Sequence, residues 1–330
     1  MPAKHAGSVG CHSRSGFSSI EYPEFIVERK IDGTLVKEVP NRDKLQPFVY
    51  FDPRVLKRYY DEPSKYTVRF GSPGYGSVSD IHGWKMAIGT TDEGLVFCWL
   101  GDIAKSFMPP GDVAHWHAHN VPPRGTPAKA FVRAQLHGEF DTEADLVTKL
   151  VLCRDQFKKT MSKKSVTVYR PYAGPHCHLE KLLRKPLLNE FPEFRECIIN
   201  LTTIFVEYLD SESLRQSLPV ELTKDEKGNS LPSISLLANI LKECGGAGEE
   251  VTKPLVDALR LVQKVRSKSG AAHSFSDRSF TEVLEKLGFS GTSTAAELFL
   301  AVAEPLATAM ERLCVSLGAE ELLLWRHKKE

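Results

Sequence analysis

The sequence predicts an α+β fold in two parts: a mostly antiparallel α+β domain followed by an all-helical bundle. Three observations lead there. Between Phe25 and Leu100 the apolar residues come in short β-type runs broken by Gly, Pro and Asp. From Asp141 onward they recur at the three- and four-residue spacing of one helical face. Residues 1–20, rich in Gly, Ser, His and Lys, carry neither pattern and read as a mobile leader.

Strands are expected at Phe25–Glu28, Leu35–Val39, Phe48–Phe51, Tyr66–Phe70, Trp84–Ile88 and Leu95–Leu100. Asp52 followed by Pro53 is a cap with proline at the first helical position, so Val55–Tyr60 should form a turn or two of helix. Gly71–Gly76 (GSPGYG) has glycines but no following GK[ST], and reads as a hairpin turn rather than a phosphate loop. Ala128–Leu136 closes the β-rich part, giving an α+β sensor or recruitment domain over 21–140.

Helices are expected at Asp141–Lys159, Glu193–Tyr208, Ser235–Lys242, Glu249–Lys268 and Thr294–Leu317, the last kinked at Pro305. Residues 216–232 read as a long connection. Residues 141–175 form a basic connecting helix and linker, and 176–330 the bundle.

Composition narrows the function. A 42% hydrophobic content supports real cores, and a net charge of +1 means that any nucleic-acid footprint must be local. No apolar run approaches the roughly 18 residues of a membrane span, and the N-terminus lacks a signal-peptide core. The seven cysteines are odd in number and contain no CxxC pair, which suits reduced thiols in a cytoplasmic protein. Walker, GxGxxG and GxSxG patterns are missing, so neither a cofactor nor a serine nucleophile is expected.

Between Arg154 and Lys185 nine Lys/Arg face two acids, with Tyr169 and Tyr172 among them. Cations interleaved with aromatics can hold a phosphate backbone and stack bases, which suits single-stranded RNA. Lys158, Lys159, Lys163, Lys164 and Arg170 are the expected contacts; the competing reading is a solvated helix end. His115, His117 and His119, even with His176, Cys177 and His178, match no established zinc spacing and are expected to form a polar loop without metal.

The stretch Leu259–His273 carries the second candidate. Leu255, Leu259 and Val262 define a helical stripe whose next position is Arg266. If the helix runs on, His273 lies about 700° further round, two turns beyond Arg266 on the same face. Gly270 is a candidate break between them. An arginine fork and a histidine on one stripe can bind a phosphate and move a proton. An arginine snorkelling from a helix and a histidine capping its end is the bland alternative.

Arg266, six residues and then His273 resembles the R-x(4–6)-H signature of the HEPN superfamily, all-helical domains that often act as metal-independent endoribonucleases. Gln263, Arg266, Ser267, Ala272 and His273, with Tyr50–Tyr59 (YFDPRVLKRY), Leu100–Ile103 (LGDI) and His115–Pro123 (HWHAHNVPP), also resemble an uncharacterised bacterial protein family. The HEPN resemblance implies attack of a ribose 2′-OH on the adjacent phosphate, with His273 moving the proton and Arg266 stabilising the phosphoryl oxygens. It implies RNA as partner and a homodimer, or pairing with another HEPN-like chain, that joins two motifs at one cleft. Toxin and antiphage defence roles are common in that superfamily. The residue after the arginine, usually Asn, Asp or His in active members, is Ser267 here. That departure favours the alternative expectation, a non-catalytic dimerisation or partner-docking module.

Overall fold

The computed structural model describes residues 21–44, 46–289 and 293–318; the expected leader lies outside them. Strands β1 (Phe25–Arg29) and β2 (Leu35–Glu38) form a hairpin beside a larger sheet. That sheet contains β3 (Phe48–Phe51), β4 (Tyr66–Ser72), β5 (Tyr75–Asp80), β6 (Lys85–Thr90), β7 (Val96–Trp99) and β8 (Asn120–Val121). Its order is β4-β5-β6-β7-β3-β8, and every pairing is antiparallel. The expected GSPGYG hairpin joins β4 to β5, with Gly74 at φ 74°. That left-handed conformation suits glycine, which has no Cβ to clash.

Alternation along β3 and β7 gives the sheet two apolar faces. Val49, Phe51, Val96 and Cys98 enter one core, Tyr50 and Phe97 the other. Helices cover the first face. Asp52 accepts from the Arg54 backbone N–H at the start of a 3-10 turn, Pro53–Leu56, which runs into helix α1 (Lys57–Asp61). Helices α2 (Leu100–Lys105) and α3 (Pro110–Ala118) follow; α3 brings in Trp116, whose ring meets Phe51 edge-on at 4.7 Å. The second face is closed by Phe131, 4.7 Å from Phe97. Phe131 lies on helix α4 (Lys129–Val132), which continues as a π-turn over Arg133–His137. The run that closes the β-rich part is therefore helical.

The core of the helical half begins at Leu150 inside helix α5 (Leu146–Lys163), so this basic helix packs as part of the helical half as well as connecting to it. After it come α6 (Leu179–Leu182), α7 (Phe191–Thr202) with a π-segment Thr203–Glu207, α8 (Ser211–Gln216) and α9 (Ser233–Ile240). Then follow α10 (Glu249–Ala271), α11 (Arg278–Lys286) and α12 (Ala295–Ser316). The expected connection over 216–232 contains a 3-10 turn, Val220–Thr223, and a bridge between Lys224 and Ser230. Helix α12 opens on a capping box: Thr294 Oγ1 accepts from the Glu297 N–H while Glu297 reaches back to the Thr294 N–H. Despite Pro305 it continues to Ser316.

The halves are bonded together. The Asp145 N–H donates to the Gly71 carbonyl, the Thr148 hydroxyl to the Phe70 carbonyl, and Lys181 Nζ to the Pro63 carbonyl. Buried Arg184 lies 5.0 Å over the Tyr60 ring and bonds the Glu193 carboxylate, whose oxygens also accept from the Leu187 and Leu188 N–H groups. No helix among the described residues is long and apolar enough to cross a membrane.

Candidate functional site

Helix α10 buries Leu255, Leu259, Val262, Val265 and Ser269, and that stripe fixes which residues face outward. Arg266 stands one step off it and is exposed. Its Nη2 pairs with Glu207 Oε1 at 2.8 Å, at the end of the π-segment that extends α7. The Thr203 hydroxyl donates to the other Glu207 oxygen at 3.0 Å. The Ser267 hydroxyl turns back to the Gln263 carbonyl at 2.9 Å.

Several distant residues meet around Glu207 and its neighbour Tyr208. The chain leaves α5, turns at Ser165 with φ 62°, and returns so that Arg170 N–H bonds the Tyr208 carbonyl at 2.9 Å. The Asp210 N–H bonds the Val168 carbonyl at 2.8 Å on the same short ladder. Arg170 then lies 5.3 Å over the Tyr208 ring and donates from Nη2 to the Glu207 carbonyl. Tyr172 meets the Tyr208 ring edge-on at 4.8 Å. His176 Nδ1 lies 2.5 Å from the Tyr208 hydroxyl, and its Nε2 has no protein partner among the described residues. Arg170, His176, Glu207 and Arg266 are all exposed, with Tyr208 half-buried between them.

Two guanidinium groups against one carboxylate leave this surface positive, and each fork has more N–H donors than its protein partners use. An aromatic ring under an arginine is a geometry that also takes a nucleobase. Burial pushes the pKa of the Tyr172 hydroxyl up, so that group stays protonated and uncharged.

The basic run divides in two. Arg154 is 1% exposed, pairs with Glu180 at 2.6 Å, and lies 4.8 and 4.9 Å over the rings of Tyr169 and Tyr172. Arg184 is buried on Glu193, Lys185 bonds Asp145 at 2.7 Å, and Lys181 bonds a carbonyl. These four hold the fold together. Lys158 is half-buried, while Lys159, Lys163, Lys164 and Arg170 are exposed, along the path that leads from α5 to Tyr208.

His273 lies apart from this surface. Helix α10 passes through Gly270 and ends at Ala271; Ala272 is extended with ψ 149°. His273 therefore leaves the helical stripe instead of standing two turns along it. It lines a hollow of about 270 Å³ with Phe191, Arg195, Glu196 and Ile199, at the start of α7. Glu207, the partner of Arg266, lies eight residues beyond Ile199, about 12 Å further along the helix.

The expected histidine loop is instead largely helix: His115 and His117 lie on α3, which proline opens at Pro110, and His119 caps its C-terminus. His115 Nε2 bonds the Val55 carbonyl at 2.9 Å, His117 Nε2 the Glu24 carbonyl at 3.1 Å, and His119 Nδ1 the His115 carbonyl at 2.9 Å. Burial holds the His115 imidazole below its usual pKa. Among the described residues no three His, Cys, Asp or Glu side chains are grouped to hold a metal ion.

Residue spacing gives no sign of Glu207 and Tyr208, and brings in His176 only as a zinc ligand. Tyr208 closes an amphipathic run, where an aromatic reads as ordinary core. Compared with protein-family models, curated proteins and solved structures, the chain matches none.

Proposed function

We propose that the helical half acts on RNA as a metal-independent endoribonuclease of the HEPN type. The RNA path runs from Lys158 along α5 and Arg170 to Arg266. The single observation that carries this reading is the convergence of exposed Arg170 and Arg266 on the Glu207–Tyr208 corner, at the end of a cationic surface. In the reaction a ribose 2′-OH attacks the adjacent phosphorus, Arg266 stabilises the phosphoryl oxygens, and a histidine moves the proton. A second copy of the chain, or another HEPN-like chain, completes the acid–base set, as its superfamily resemblance implies.

The alternative is a non-catalytic HEPN-like docking or dimerisation module. Favouring it are the Arg266–Glu207 ion pair and the inward turn of the Ser267 hydroxyl.

Binding tests the RNA reading directly. Fluorescence anisotropy with single-stranded RNA should show a steep salt dependence. Replacing Lys158, Lys159, Lys163 and Lys164 by Glu should weaken binding and flatten the log–log slope by roughly 0.7 for each phosphate no longer neutralised. Unchanged affinity and slope would reduce the run to a solvated surface. Cleavage of the same RNA in excess EDTA separates the nuclease from the docking module.

A further inference from the structure

We propose that residues 319–330 run back along α12 and fill the groove between α10 and α12, a contact independent of any action on RNA. The groove has a volume of about 530 Å³ and lies between residues 254–261 of α10 and 301–312 of α12. Both helices turn large side chains into the core: Leu255, Leu259 and Val262 from one, Leu306, Met310 and Leu313 from the other. Along the groove α12 presents only small or short residues, Ala301, Pro305, Thr308 and Ala309, opposite Leu261 of α10. Short side chains on adjoining helices leave a trough between them, and close packing has to be completed by another segment. The trough points toward the end of α12. Ala301, Thr308 and Val315 follow one another at seven residues, two turns, and so share one face. Val315 is 61% exposed, a large apolar side chain at the far end of that face.

Three exposed charges edge the groove: Arg312 near the end of α12, Glu304 about two turns earlier, and Asp257 on α10. None of these side chains has a partner among the described residues. Beyond Gly318 the sequence carries their complement in reverse order. Glu320 and Glu321 come first, then Leu322, Leu323, Leu324 and Trp325, then Arg326, Lys328 and Lys329. Gly318 itself has φ 72°, a left-handed cap that takes the chain off the helix axis. On the way back the acids meet Arg312, the apolar block covers Pro305, Ala309 and Leu261, and the cations reach Glu304 and Asp257. From Arg312 to Ala301 is about 16 Å of helix, a distance that eleven residues span whether helical or extended. Four adjacent apolar side chains gain from such cover. Because the segment is joined to α12 the contact is intramolecular, so its effective concentration favours it over a free segment of like sequence.

The test is chymotryptic cleavage after Trp325 in the full chain, read by mass as loss of residues 326–330. Wild type should be cut several-fold more slowly than a free peptide of residues 319–330, because cleavage waits on the undocked population. Thr308→Trp, which fills the groove from an exposed position, should be cut at a rate near the peptide's. Arg312→Glu should be cut faster than wild type, and adding Glu320→Lys with Glu321→Lys should restore protection. That charge-swap rescue decides the matter even if Thr308→Trp fails to fold, which circular dichroism would show. A wild type cut as fast as the peptide overturns the proposal. Protection that Thr308→Trp and Arg312→Glu both leave intact overturns it too, since the segment would then be held elsewhere. So does protection that falls on dilution, with sedimentation showing a dimer, because the groove would hold the segment of a second copy.

Discussion

The two halves use their histidines differently. In the sheet half, His115 and His117 of α3 and His119 at its C-cap each place a ring nitrogen on a backbone carbonyl, and Asn120 bonds both the Ile26 and Tyr50 backbones. Polar groups there serve as framework, joining the β1–β2 hairpin and α3 to the sheet. In the helical half, His176 and His273 are exposed, as are Arg170 and Arg266. A two-faced sheet must satisfy loop and edge backbone groups wherever helices cover them. A helix satisfies its own backbone, so its outward side chains pair with one another, as Arg266 does with Glu207.

The junction between the halves offers the sharpest way to break that comparison. Arg184→Met leaves the Glu193 carboxylate buried with only backbone donors and removes the cation above Tyr60. Removing one partner of a buried pair should destabilise the protein by roughly 3–5 kcal/mol, measured by urea unfolding. A loss below about 1 kcal/mol would mean that the junction is looser than its bonds imply. A smaller effect is expected at the cap of α12. Thr294→Ala removes the hydroxyl that accepts from the Glu297 N–H, at a cost of about 1 kcal/mol that thermal unfolding would register. The smallest belongs to Arg266. Its ion pair with Glu207 is exposed on both sides, so Arg266→Ala should change stability by less than about 1 kcal/mol. This variant should lose RNA-directed activity while keeping its fold. A sharp fall in stability would instead make Arg266 part of the framework.

The division into strands and helices was legible in the sequence because hydrophobic period is a local property. Phe48–Phe51 and Glu249–Lys268 lie almost where their patterns put them. Asp52 with Pro53 marked an element start through a side-chain cap two residues long. Arg266 was expected as the next position of the Leu255–Leu259–Val262 stripe, but Val265 and Ser269 continue that stripe and Arg266 stands one step off it. His273 leaves the stripe as well, because α10 ends at Ala271 and Ala272 is extended.

Tertiary structure alone decided which cations lie inside. Arg154 and Lys158 are a helical turn apart with the same charge, yet one is sealed between two tyrosines over Glu180 and the other is half-open to solvent. It also decided that Arg170, His176 and Arg266 share the corner at Glu207 and Tyr208. Such contacts join residues 32 and 37 positions apart, through a backward turn at Ser165 and the packing of α10 on α7. Periodicity reports which face of an element is apolar, and so which side chains point inward. It carries no record of which other element that face will meet, because that choice is made by core packing over the whole chain.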